Sequence, residues 1–469
     1  MVVAAAVTLT GCSSLLVHPE TDLSSVVRVP AQWDYGEAST DTTALAAWWQ
    51  RFHDPQLTAL VTRALEANND VRTAQAVLRQ ARAQRDVTAA GLLPAVNAGA
   101  SASRSKTGHN DPVNSWTAAL DASWEPDVFG GTGAGVAAAD ADARSAMLSL
   151  ASVRVSIAAE TAAQYILLTA LERRLVIARD NLASQEETLQ ITEWRAQAGL
   201  VTSLDVEQAR TSTEITRAQL PALATSIAQA KSSLAILTGA TPEAIRPAIA
   251  ESAGVPVATE DLAYAFPAET LRQRPDVRRA ESQVVAAASR VTQADAERYP
   301  SFRLNGTLGV NALTLGALSG SGALIASVLG GVSLPIFDGG ARAAQVRVQD
   351  AAYDQARIAY ETAVLTALKD VEDALIAVAS ARTRLVTLRR AADAARNAAL
   401  LARFRYNSGL IDFQAVLQTQ VTLLSVQDNV ANGEADLGVA HVRLYKALGG
   451  GWEPDAVEPQ AANGRATPS

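Results

Sequence analysis

A glycine-rich turn, Gly130-Gly131-Thr132-Gly133-Ala134-Gly135, follows an alternating segment and opens a helical one. Backbone amides in such a turn can cradle a pyrophosphate, but the sixth position of G-x-G-x-x-G falls on Val136, and no strand–helix alternation follows. The later counterpart, Asp338-Gly339-Gly340-Ala341-Arg342, points instead to a strand-to-helix transition made twice. His18, His53, His109 and His441 lie far apart, without metal-ligand spacing. Neither Gly-x-Ser-x-Gly nor Gly-Lys-Ser/Thr occurs. The carboxylates are spread along helical segments, where a solvated face is the ordinary reading. These residues predict no enzyme, no cofactor and no metal site.

Cys12, the single cysteine, closes Leu9-Thr10-Gly11-Cys12 behind an apolar stretch at 2–9. That stretch is too short to cross a bilayer and has the length of a signal peptide's hydrophobic part. Small residues directly before the cysteine resemble a bacterial lipoprotein cleavage and acylation site; the alternative is a buried cysteine in a first strand. Ser13 in place of Asp reads as export to the outer membrane. No Lys or Arg precedes the stretch, which places the expected start codon upstream. A lone thiol leaves no disulfide to hold the fold.

Composition frames the elements that must carry this chemistry. The 469 residues are 48% hydrophobic but 5% aromatic, Ala-rich, with a formal charge of −8. Such a chain predicts long packed helices rather than one bulky core. The scattered basic residues form no stripe, which argues against nucleic acid. Self-similarity organises the chain. Asp70-Val71-Arg72 recurs as Asp276-Val277-Arg278 and Pro94 as Pro300, both at an offset of 206. Phe129-Gly130-Gly131 is echoed by Phe337-Asp338-Gly339-Gly340, while Gly199 recurs as Gly409 and Gly239 as Gly449 at an offset of 210.

Each repeat reads as helix, two strands, very long helix, tight turn, helix. Leu57, Leu60, Val61, Leu65, Val77 and Leu78 have helical spacing. Trp116, Ala118, Leu120, Ala122 and Trp124 alternate as in a strand with one apolar face. From about 132 to 199 no proline intervenes, so a helix on the order of 100 Å is expected. The uncharged run 304–337 has the length of a transmembrane helix. Its glycines, Pro335, its alternation and the duplication make it a second hairpin. Four strands of about ten residues can cross a bilayer but cannot close a barrel, and an open edge cannot face lipid. Several chains must combine.

On these residues the chain resembles the TolC-like outer membrane factors, in the NodT/OprM-like lipoprotein branch of tripartite, RND-type efflux systems. The motifs are Leu271-Arg272-Gln273-Arg274-Pro275-Asp276-Val277, Leu234-Ala235-Ile236-Leu237-Thr238-Gly239 and Leu444-Tyr445-Lys446-Ala447-Leu448-Gly449-Gly450-Gly451-Trp452. The resemblance implies a mainly α fold with a small transmembrane β part. Each chain supplies one third of a trimeric twelve-strand barrel and a long helical periplasmic tube. The expected layout is a signal peptide at 1–11, a lipidated and equatorial segment at 12–55, repeats at 56–240 and 266–450, an equatorial linker at 241–265, and a disordered tail at 451–469. Pro221 should kink or break its helix.

The implied partners are outer-membrane lipid, a periplasmic adaptor and an inner-membrane pump of RND type, with drugs or other small molecules as cargo. Alternatives are a duct for type I protein secretion or metal efflux, or a non-conducting coiled-coil lipoprotein. The turns at Gly199 and Gly409, with Arg195, Leu200, Arg405 and Leu410, become tips that meet the adaptor. Locally, Thr202–Asp205 reads as a capping box and Asp412 as an N-cap. In some relatives a first-repeat Asp is tied to a second-repeat Tyr and Arg; Asp205 and Tyr406 match, but the Arg position is Ile411. The constricting carboxylate positions are Ala415 and Gln418, leaving Asp412 as a substitute ring. Asp205, Tyr406 and Asp412 are the gate candidates.

Overall fold

From α2 (Asn69–Ala90) and its counterpart α6 (Pro275–Ala296) onward, both passes through the repeat follow one element order in the computed structural model, which describes residues 16–17, 19–23, 45–249, 254–256, 258 and 268–452. Cys12, the signal peptide expected at 1–11 and the tail beyond 452 lie outside the described residues. The first pass comprises α1 (Pro55–Ala67), α2 (Asn69–Ala90), β1 (Ala95–Ser105), β2 (Val113–Trp124), α3 (Gly131–Gln197) and α4 (Ser203–Leu237). A single-turn helix, α5 (Pro242–Ile245), stands between the passes. The second comprises α6 (Pro275–Ala296), β3 (Ser301–Ala312), β4 (Leu324–Ser333), α7 (Ala341–Asn407) and α8 (Phe413–Ala447). The long helices α3 and α7 have 67 residues each and the return helices α4 and α8 have 35 each. Duplication is therefore preserved to the residue in the long helices and the return helices.

Local chemistry explains the boundaries. Asp54 caps α1 by accepting from the amides of Gln56 and Leu57 at 2.8 and 2.9 Å, and Pro55 occupies the first turn, where no amide partner is needed. The stripe Leu57, Leu60, Val61 and Leu65 is buried. Val77, read as part of the same stripe, is 47% exposed because the chain breaks at Asn68 and α2 presents a different face. The uncharged run forms β3 and β4, joined by 3-10 turns at Leu315–Ser319 and Ser321–Ala323. Pro221 does not end α4, which runs through it. One missing amide removes one bond from a 35-residue helix whose Leu223, Ala230 and Leu234 are buried.

The chain divides into two compact units, each drawing on both repeats. One gathers 76–148 and 278–363 with the N-terminal stretch, and the other 28–75, 149–277 and 364 onward. The first holds the sheet, of order β1-β2-β3-β4 and antiparallel throughout, so β2 and β3 join the repeats. Phe129 stacks on Tyr299 at 5.1 Å where the strands pass into helices, and Arg85 meets Asp140 at 2.8 Å. In the second unit Trp48, fully buried, stacks on Tyr445 at 5.4 Å. Beside them Tyr165 donates to Asp54 at 2.9 Å.

Candidate functional site

Three places concentrate unusual chemistry: the sheet, the junctions where return helices end, and the two helical turns. In the sheet, the register puts Val96, Trp116, Leu120, Trp124, Leu304, Leu308, Val328 and Val332 on one face. Several are more than half exposed, with Val328 at 80%, an apolar surface that water alone would not tolerate. The opposite face carries Asn97, Ser101, Ser103, Ser115, Thr117, Asp121, Asn305, Thr307, Asn311 and Ser327. Its side chains bond across strands: Thr307 donates to Asp121 at 2.7 Å and Asn311 to Thr117 at 2.7 Å. One apolar and one polar face over strands of ten to twelve residues is the pattern of a barrel wall between lipid and water. The outer edges of β1 and β4 have no partner strand among the described residues, so this wall is incomplete in one chain.

The glycine-rich turn is spoken for internally. Asp127 accepts from the amides of Thr132 and Gly133 at 3.1 and 2.6 Å, placing a carboxylate where a phosphate would sit at the start of α3. Asp338 repeats the device before α7, accepting from Gly340 and Arg342 at 2.8 and 3.1 Å.

A second duplicated device escaped the sequence reading. Asn68, 3% exposed, donates from Nδ2 to the Leu237 carbonyl at the end of α4, at 2.9 Å. Arg274, 206 positions later and 7% exposed, donates to the Ala447 carbonyl at the end of α8, at 2.7 Å. Each thus satisfies a carbonyl that a helix end leaves without an intrahelical partner. Arg274 also grips Asp276 through both nitrogens of its fork, at 3.0 and 2.7 Å, and reaches Asp370 at 3.3 Å. Burial pushes the Asp276 carboxyl up, and the guanidinium more than offsets this, holding it below the ordinary carboxylate value of 3.8. The Arg274-Pro275-Asp276 block was recognisable as a motif; its role was not, since its partners lie 96 and 173 residues away.

At the two turns, Gly199 and Gly409 adopt φ of 72° and 70°. Leu200 donates to the Arg195 carbonyl and Gly199 to that of Ala196, at 2.8 and 2.9 Å; Leu410 and Gly409 repeat both bonds to Arg405 and Tyr406 at 2.9 and 3.0 Å. These are Schellman closures, in which a left-handed residue ties off the last helical carbonyls. They leave Leu200 and Leu410 74% and 73% exposed, two matching apolar points. Thr202 and Asp205 form the reciprocal box: Thr202 donates from its amide and hydroxyl to the Asp205 carboxylate at 2.9 and 2.8 Å. Asp412 accepts from the Ala415 amide at 3.0 Å. The structure brings Arg195 over the Tyr406 ring at 4.6 Å, and Tyr406 against Phe413 at 5.4 Å. It does not join Asp205 to Tyr406 within one chain, and the buried Tyr406 hydroxyl has no hydrogen-bond partner there. Arg405 stays exposed.

Above the turns, α3 meets α8 along a polar seam. Arg174 pairs with Asp428 at 3.0 and 2.8 Å, Asn181 with Gln427 at 2.9 Å, and Thr188 with Gln420 at 3.0 Å. Steps of seven along α3 keep these residues on one face.

Comparison with known proteins agrees with this geometry. A family model described as outer membrane efflux protein matches residues 60–240 and 266–450. The chain is 33% identical over 448 residues to the pyoverdine export outer membrane protein OpmQ of Pseudomonas aeruginosa, covering 92% of this chain and 93% of that one. It is 29% identical over 448 residues to nodulation protein T of Rhizobium leguminosarum bv. viciae, covering 95% and 92%. Among solved structures, the outer-membrane channel OprN is similar with a TM-score of 0.83 at 34% identity, covering 93% of this chain and 99% of that one.

Proposed function

Because the chain belongs to the outer membrane efflux protein family, we propose that three copies close the four-stranded sheets into one barrel and form the exit duct of a tripartite efflux system. The observation that carries this reading is the sheet itself. Its two faces need lipid on one side and water on the other, and its two edges need further strands. Cargo passes without chemical change, driven by an inner-membrane pump of RND type through a periplasmic adaptor. The cargo is a small molecule, in keeping with the relative named for pyoverdine export. Cys12 carries the lipid anchor, and residues 12–55, 241–265 and the tail after 450 belong to a belt around the tube. The exposed Leu200 and Leu410 make the adaptor's apolar contacts, with Arg195 and Arg405 beside them.

Single-channel recording in planar bilayers, with the mass of the protein in detergent, tests the duct. Discrete conductances from a species of three chains are expected; a monomer that never conducts would remove the pore.

The entrance gate rests on Asp205, Tyr406 and Asp412. Tyr406, whose hydroxyl is buried without a hydrogen-bond partner in the single chain, would have to turn outward to bond a neighbouring copy in the assembled tip. The double variant Asp205→Asn, Tyr406→Phe should raise mean conductance several-fold. Unchanged conductance would take this pair out of the gate.

A further inference from the structure

Asn97, Asp121, Thr307 and Ser327 stand in one row across all four strands, on the polar face. The charged side chains in the described strands are Arg104, Asp121 and Arg303. Arg104 lies on the apolar face, near the end of β1. Arg303 shares the polar face but is already paired with Glu125 at 3.2 Å. It also stands four residues from Thr307, about 13 Å at the rise of a strand, beyond a Debye length of about 8 Å in physiological salt. Asp121 is exposed, and the Thr307 hydroxyl pins its carboxylate to the wall at 2.7 Å. At the helical turns, by contrast, Asp205 and Asp412 stand among Arg195 and Arg405, so charge there is mixed.

We propose that Asp121, repeated three times around the inner wall of the barrel, determines the charge preference of the outer part of the duct, favouring cations and cationic cargo over anions. The proposal rests on the trimeric barrel reading above. In water a unit charge about 7 Å away attracts a monovalent cation by about RT, a local excess of about threefold. Salt of about 1 M, with a Debye length of about 3 Å, removes that excess. The effect is a bias on what passes, not a binding site.

The test places a reporter beside the carboxylate. Asn97 faces Asp121 across the β1–β2 pair, and Cys12 is the single native cysteine, so Asn97→Cys adds one thiol at that level. Cationic and anionic methanethiosulfonates of similar size are applied from outside to the assembled protein in its membrane, at low salt. With Asp121 present, the cationic reagent should react faster, and about 1 M salt should level the two rates. Adding Asp121→Asn should lower the cation-to-anion rate ratio about sevenfold, because the cation loses its excess and the anion its matching deficit, and Asp121→Lys should invert it. A ratio indifferent to both Asp121 and salt would overturn the proposal while leaving the duct intact. If neither reagent modifies the thiol of Asn97→Cys in assembled protein, this face lies away from water and the barrel reading sinks with the proposal. The salt dependence is read in protein with Asp121 intact, so it stands even if an Asp121 variant folds poorly.

Discussion

Arg274→Met should destabilise the protein by about 3 kcal/mol, read as a lower midpoint of thermal unfolding in detergent. Methionine preserves much of the apolar stem but removes every donor. The Ala447 carbonyl, Asp276 and Asp370 then lose the group that holds them together. Breaking a buried ion pair from one side costs about 3–5 kcal/mol, because the remaining charge is stranded. Here both carboxylates are 41% exposed, so water recovers part of the loss and the lower end of the range applies. Arg274→Lys should fall between, since a single ammonium cannot span a helix-end carbonyl and a bidentate carboxylate at once. The pH dependence has a definite sign. Asp276 has a depressed folded pKa, so its contribution is complete above the ordinary value of 3.8 and is lost as pH falls through the folded value below it. The gap between wild type and Arg274→Met should therefore hold steady from pH 7 to about 5 and narrow only on stronger acidification. A gap that closes already near neutrality, or no destabilisation at all, would show that the guanidinium does not clasp the helix end.

That clasp marks where sequence reasoning stops. Periodicity and duplication made the architecture legible: alternation at 116–124 is a strand, and the proline-free stretch after 131 is one helix of 67 residues. The uncharged run at 304–337 was ambiguous by composition and became readable only through its repeat partner. Turn chemistry was equally legible, because Gly199, Thr202, Asp205, Gly409 and Asp412 act on backbone groups within a few residues. Asn68 and Arg274 were not, since their carbonyl partners lie 169 and 173 residues away. Different side chains also perform the same act in the two repeats, so residue identity hides the equivalence that position reveals. Asp121 lay in a strand whose apolar face was visible from the sequence, but its isolation from other charges needed the register with β3. Pro221 shows the opposite limit: a strong local signal against a helix is outweighed when burial on both sides of it carries the helix through.

The same junction yields the second large effect, and an internal control comes with it. Gly239 and Gly199 close their helices with the same Schellman bonds and similar φ, 62° and 72°. Alanine at either position meets the left-handed penalty of about 1–2 kcal/mol. At Gly199 a Cβ would touch nothing within 4 Å, so Gly199→Ala should cost only that strain. At Gly239 a Cβ would lie 2.3 Å from the Ala67 carbonyl oxygen and 2.9 Å from its carbon, both backbone atoms that no rotamer change can move. Ala67 ends α1 and precedes Asn68, so relief requires pushing the end of α1 away from the end of α4 and lengthening the Asn68 bond to Leu237. Overpacking of this kind adds about 1–3 kcal/mol, giving about 2–5 in all. Gly449→Ala belongs between, because there the nearest atom to the Cβ would be the Arg274 Cγ at 3.0 Å, a milder approach than 2.3 Å to a backbone oxygen. Thermal unfolding of the three variants should rank Gly199→Ala as mildest and Gly239→Ala as most severe. Equal losses at 199 and 239 would mean that backbone strain alone governs both turns, and that the ends of α1 and α4 are not in the tight contact on which the duplicated clasp depends.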